Sequence, residues 1–290
     1  MTLSPERWAN EISILLNAFK GPDRFPVDVI EIATLYSAQR FPDDPISLVV
    51  GDDLPNFDGA LYRAPEGKKG WGIIYNNRIT SEGRINFTLA HEFGHYLLHR
   101  LAHPDGLYCS SDKVAQWDPE YGQIENQANV FAASLLMPRD DFRRQIPART
   151  AADIDMLSAC AARYKVSFLA AALRWIEYTE KRAVLVVSRD GFILWAKPSG
   201  SALRTGAYFR TKGPPIEIPA TSLAARPGLV VDPRVGIRLA ANTWFPEEVR
   251  EMAIHSEQYD FAISLLILDD REGYRFEEPE IEDTFDRFNR

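Results

Sequence analysis

The chain has 290 residues, 46% of them hydrophobic, with a net charge of −8 and an isoelectric point near 5.3. That apolar content suits one large core or two modest ones, and the absence of any lysine- and arginine-rich run argues against a direct nucleic-acid binder. The acid excess is uneven, since residues 269–290 carry nine acids against four arginines.

The opening "MTLSPERWANEISILLNAFKG" has no basic segment ahead of an apolar core, so no secretory signal is expected. Within it, Ser4 is placed to cap a helix in which Trp8, Ile12, Leu15 and Phe19 recur at helical spacing. "PVDVIEIATLYSAQRF" reads as a second helix, with Val27, Ile30, Ala33 and Leu35 apolar. "ISLVV", "FDGALYR" and "WGIIYNN" then read as three strands of a small sheet. The last of these fits either an edge strand open to an extended substrate or a buried strand.

From Asn86 to Arg100 the pattern is helical again. A polar loop, "HPDGLYCSSDKVAQWDPEYG", separates it from "QIENQANVFAASLLM", a helix that Pro138 stops. "RDDFRRQI" is a short helix, and "AADIDMLSACAARY" and "SFLAAALRWIEYTE" a helical pair. A domain boundary is expected near residue 182. Beyond it lie a hairpin turning at Asp190-Gly191 in "AVLVVSRDGFILWAK", further strands in "GLVVD" and "FAISLLILDD", and an acidic tail. No stretch approaches 18 consecutive apolar residues, so no membrane span is expected. Cys109 and Cys160 are read as reduced thiols in a cytosolic protein.

The chemistry concentrates in "HEFGHYLLH", residues 91–99. Four helical residues turn about 400° and rise about 6 Å, so His91 and His95 point the same way and can share one metal ion. Glu92 is placed to take a proton from water activated there. Histidine is scarce, five in the chain, yet four lie between positions 91 and 103, which argues against a chance match. Two residues can supply the third ligand. His99 is one turn further on, but stands too far along the axis to close a compact tetrahedron comfortably. It also suits the helix end, where a cation is favoured, or the cleft wall. Glu125, in the next long helix, would complete a His₂Glu set and leave one position open; it equally suits a helix's first turn as an ordinary acid. Asn129, one turn beyond, could hold a ligand histidine's other nitrogen. His103 is expected to be a solvent-exposed loop residue.

"FTLAHEFGHYLLH" followed by "ENQANVFAASLLMP", with "FDGALYR" and "GIIYNN" upstream, resembles the ImmA/IrrE family of metallo-endopeptidases over roughly residues 25–180. The resemblance implies an α+β fold: a zincin-like metallopeptidase domain (residues 1–182) built from a small sheet and a helical bundle, then a smaller sheet-rich recognition or sensing domain (183–268) and the acidic tail (269–290). It implies metal ligation by His91, His95 and Glu125, with Glu92 as catalytic base. The metal implied is zinc, with manganese or another divalent ion as the alternative. One departure stands out. Many members have an acid just before Ala-Asn, where this chain has Gln127. The implied activity is site-specific cleavage, in the cytosol, of a helix-turn-helix transcriptional repressor, relieving repression as in stress responses. Any DNA-binding segment is expected in the partner.

Tyr96, His99, Tyr75 and Tyr121 are the candidates for stabilising the oxyanion. The rival reading is a non-catalytic metal-binding regulator that acts by binding a repressor. The open fourth position and Glu92 weigh against it, because structural zinc sites are closed and cysteine-rich.

Overall fold

A computed structural model describes residues 3–110, 119–211, 213–256 and 260–270; the acidic segment from 271 onward lies outside them. Helix α1 (Pro5–Lys20) starts where Ser4 accepts a hydrogen bond from the Arg7 amide and stops at Gly21, φ 55°. It buries Trp8, Ala9, Ile12 and Leu16. The predicted apolar face thus rotates by one residue: Leu16 goes inward, while Leu15 is half-exposed and Phe19 is 86% exposed. Helix α2 (Val29–Arg40) is capped by Asp28 and buries Val29, Ala33 and Tyr36. Ile30 and Leu35, two of the apolar positions in the sequence pattern, face outward.

Strands β1 (Ile46–Asp52), β2 (Phe57–Arg63) and β3 (Trp71–Asn76) lie where the apolar runs place them. A fourth, β4 (Gly106–Ser110), comes from the stretch read as loop. The sheet order is β1-β3-β2-β4, with β1 parallel to β3 and the other pairs antiparallel. "WGIIYNN" is therefore an interior strand, hydrogen-bonded on both sides. The edge reading is wrong for it; among the described residues the outer strands are β1 and β4.

Helix α3 (Glu82–His99) carries the histidine motif and is capped by Ser81. It packs on β2 and crosses α4 (Pro119–Leu136), which begins a turn earlier than the sequence pattern suggests. Gly94 makes that crossing close. A Cβ there would lie 2.9 Å from the Phe131 ring and 3.3 Å from the Ala128 backbone. Helices α5 (Arg139–Gln145), α6 (Ile154–Tyr164) and α7 (Phe168–Ile176) complete the helical part, with Lys165 in the left-handed conformation between the last two.

The second sheet is antiparallel, in the order β6-β5-β9-β8-β7: β5 (Ala183–Arg189), β6 (Phe192–Pro198), β7 (Ile237–Leu239), β8 (Val249–Ser256) and β9 (Phe261–Leu268). Asp190 and Gly191 both have positive φ, as a two-residue hairpin turn requires. A short helix, α8 (Gly200–Arg204), follows β6. "GLVVD" is not a strand. It is bracketed by Pro227 and Pro233, which lack an amide to donate to a ladder, and Val230 is 96% exposed. The strand in its place, β8, was hidden because it carries a buried charge. Glu251 is fully buried and accepts hydrogen bonds from the Leu223 and Ala224 amides, Trp244 Nε1 and Ser264 Oγ.

One face of this sheet, with Leu185, Val187, Met252, Ile263 and Leu265, joins the helical core around Trp175 and Leu135. The other, with Val184, Val186 and Leu266, packs on Ala202, Trp244 and Phe245. No single helix among the described residues is long and apolar enough to cross a membrane. Cys160 is a buried free thiol, pushed up to about 11 by that burial.

Candidate metal centre

Helical periodicity sets His91 and His95 side by side on α3, and the Gly94 crossing brings α4 close enough for Glu125 to meet them. The two Nε2 atoms are 2.9 Å apart. Glu125 Oε2 is 3.2 Å from His91 Nε2, and its Oε1 is 3.4 Å from His95 Nε2. The three side chains each offer a ligand atom, all within 4.8 Å of one another. Two imidazole nitrogens and a carboxylate oxygen are a donor set suited to a zinc-like divalent ion. His95 is fully buried, whereas the Glu125 side chain retains some exposure, so the cluster opens on the Glu125 side.

Burial alone would raise the Glu125 carboxyl, but hydrogen bonds and charge from His91 and His95 hold it well below the usual carboxylate range. Burial pulls His95 down to about 4, with help from neighbouring histidine charge and against Glu125. Burial also lowers His91, yet the hydrogen bond it donates to Glu125 and the negative charge of Glu92 outweigh that and leave His91 raised.

Of the remaining nitrogens, that of His91 is held from α4 and that of His95 by His99 on its own helix. Asn129 Oδ1 lies 3.0 Å from His91 Nδ1. His99 is buried, with Nδ1 3.0 Å from His95 Nδ1 and Nε2 2.8 Å from Gln127 Oε1. It sits on the side of His95 turned away from Glu125, outside the ligand set. Glu92 is fully buried beneath β2; a Cβ on Gly59 would be 3.0 Å from its Oε1 and 2.6 Å from Thr88 Cγ2.

The tyrosines are scattered. Tyr96 is a core residue, packed edge-on against Phe41 and Trp71, and its hydroxyl donates to the Asp44 carbonyl. Such a buried, committed hydroxyl does not suit an oxyanion donor. The Tyr75 ring lies over Gly51 and lines a hollow with Ile85 and Leu89. Tyr121 is half-buried, one turn before Glu125 on the same face of α4. His103 is half-buried in the loop after α3, rather than exposed. A groove of about 880 Å³ runs along α4 from Asn126 and Asn129 past Val130, Ala133 and Met137 to Leu173 on α7.

Residues 45–175 match the model of the Peptidase M78 family, described as the IrrE N-terminal-like domain. This part of the chain is a domain of the ImmA/IrrE family. The match covers the first sheet, both ligand-bearing helices and most of α7, and it ends before the second sheet. A solved structure of a Mycobacterium tuberculosis transcriptional regulator is similar, with a TM-score of 0.51 at 18% identity, over 91% of this chain and 74% of that one. At that identity the likeness is one of fold. No curated protein matches the chain. Within the IrrE-like domain, the residues not foreseen from sequence are those that work between elements. They are Gly59 over Glu92 and Gly94 at the helix crossing, together with the pairing of Gln127, already noted as a departure, with His99. A glycine inside a helical motif and another inside a strand were the available signals for the first two.

Proposed function

We propose that this chain is a metallo-endopeptidase, using zinc or a similar divalent ion, that cleaves a helix-turn-helix repressor in the cytosol. The carrying observation is the convergence of His91, His95 and Glu125 with Glu92 on the same helix. A divalent ion held by these three supplies Lewis acidity, polarising the scissile carbonyl and lowering the pKa of water toward ~7. Glu92 accepts the proton of the attacking water and returns it to the leaving amine. Asn129 orients His91. Tyr121, on the Glu125 face of α4, is the hydroxyl best sited to donate to the developing oxyanion. The groove along α4 offers an apolar floor for a substrate segment. The repressor as substrate draws on the family, and the transcriptional role of the structurally similar mycobacterial protein is consistent with it.

A second reading, a metal-binding regulator that holds a repressor without cutting it, draws on the complete burial of Glu92 under β2. The test is to incubate the zinc-loaded chain with candidate helix-turn-helix repressor proteins. On the peptidase reading, cleavage occurs, stops with chelator, and drops ~10²–10⁴-fold in Glu92→Gln while zinc content is retained. Tight binding without cleavage supports the second reading instead.

A further inference from the structure

We propose that Gln127 is a positioning residue: acting through His99, it fixes His95 in the tautomer that presents a lone pair to a divalent ion. The proposal rests on the metal-site reading above, and concerns how this chain prepares that site.

His95 Nε2 faces His91 and Glu125. An imidazole nitrogen coordinates only through its lone pair, so the His95 proton must sit on Nδ1. That nitrogen is 3.0 Å from His99 Nδ1, which therefore has to accept. A neutral His99 then carries its own proton on Nε2, and that N–H points at Gln127 Oε1, 2.8 Å away. The chain of donors runs in one direction, away from the ligand cluster, and ends on an amide carbonyl.

The same three groups can also be written in reverse. An amide nitrogen facing His99 would donate to its Nε2 and move the His99 proton to Nδ1. His99 would then donate to His95 and move the His95 proton to Nε2, where the ion has to bind. The orientation of one side-chain amide thus separates a coordinating arrangement from a blocked one. His95 is 0% and His99 6% exposed, which leaves water little access to take over the role. Gln127 sits two residues from Glu125, so α4 delivers a ligand and the end of the relay together.

The experiment measures zinc affinity by competition with a chromophoric chelator and reads the His95 tautomer from ¹⁵N imidazole shifts. Gln127→Met keeps the side-chain volume and removes the carbonyl. Its affinity should fall about 10–100-fold, and the His95 Nε2–H form should appear in the metal-free protein. His99→Leu should fall similarly, and the two losses should not add. His99→Asn is the rescue: its Oδ1 can take the place of the accepting nitrogen, so zinc affinity should stay near the parent's and become insensitive to Gln127→Met. A purely structural Gln127 would shift melting temperature without moving the tautomer. Parent affinity and tautomer in Gln127→Met, or an equal loss from Gln127→Met in the His99→Asn background, overturns the proposal. A parent chain that takes up no zinc overturns the metal reading itself, and this inference with it.

Discussion

Gly94 on α3 sits against Ala128 on α4 so closely that a methyl group on the glycine would come within 3.3 Å of the alanine backbone. This contact sets the distance between the helix bearing His91 and His95 and the helix bearing Glu125. Gly94→Val should force the helices apart, costing about 1–3 kcal/mol through overpacking and lowering zinc affinity out of proportion to the loss of stability. Thermal melts and zinc titration on the same preparation check this. A destabilised variant with parent zinc affinity would mean the crossing does not set the site.

Glu125→Gln removes the charged oxygen from the ligand set and leaves two imidazoles. Zinc occupancy after dialysis should collapse while the fold persists. Full occupancy in this variant would move the third ligand elsewhere.

The pH dependence follows from His91. Its folded-state pKa lies above the ordinary histidine value, so the stabilisation it gives the metal-free protein is fully present below that ordinary value. This contribution is lost as pH rises through the raised one. A metal ion needs the nitrogen bare, so its affinity should change in the opposite sense, rising with pH across the same window. Calorimetry in buffers of different ionisation enthalpy should find protons released on zinc binding at mildly acid pH. No release there would contradict a raised His91.

Glu251→Ala tests the second sheet. Removing this carboxylate leaves the Leu223 and Ala224 amides, Trp244 Nε1 and Ser264 Oγ without their acceptor. With ~1–3 kcal/mol for each buried donor left unsatisfied, the loss should exceed ~3 kcal/mol, and the Trp244 fluorescence should shift red. A denaturant midpoint near the parent's would show that water replaces the carboxylate.

His91, His95 and Glu92 were legible because their relation is local: one helical turn fixes it. Ser4 and the Asp190-Gly191 turn were legible for the same reason. Glu125 could be named as a candidate, but its meeting with the histidines depends on a crossing angle that no periodicity encodes. The pairing of His99 with Gln127 was out of reach, since it joins two helices across 28 residues of sequence. Strand β8 was missed because alternation assumes polar residues point outward, and Glu251 points inward to four donors. Leu15 and Leu16 both fitted an apolar face, and packing against neighbours decided between them.

Strand β5 follows α7 within a few residues and lays Leu185 and Val187 into the same core as Trp175. At its start, Arg182 is buried and bonds both carboxylate oxygens of Glu247 and the carbonyl of Asp269. The helical half and the second sheet therefore share their oiled faces, which has an evolutionary reading. A C-terminal half of this kind cannot be traded among relatives as an independent cassette, because a new sheet would have to match the existing relief of α7 side chain by side chain. Divergence here should proceed by drift in the outer loops and the second, distal core, leaving the seam comparatively frozen.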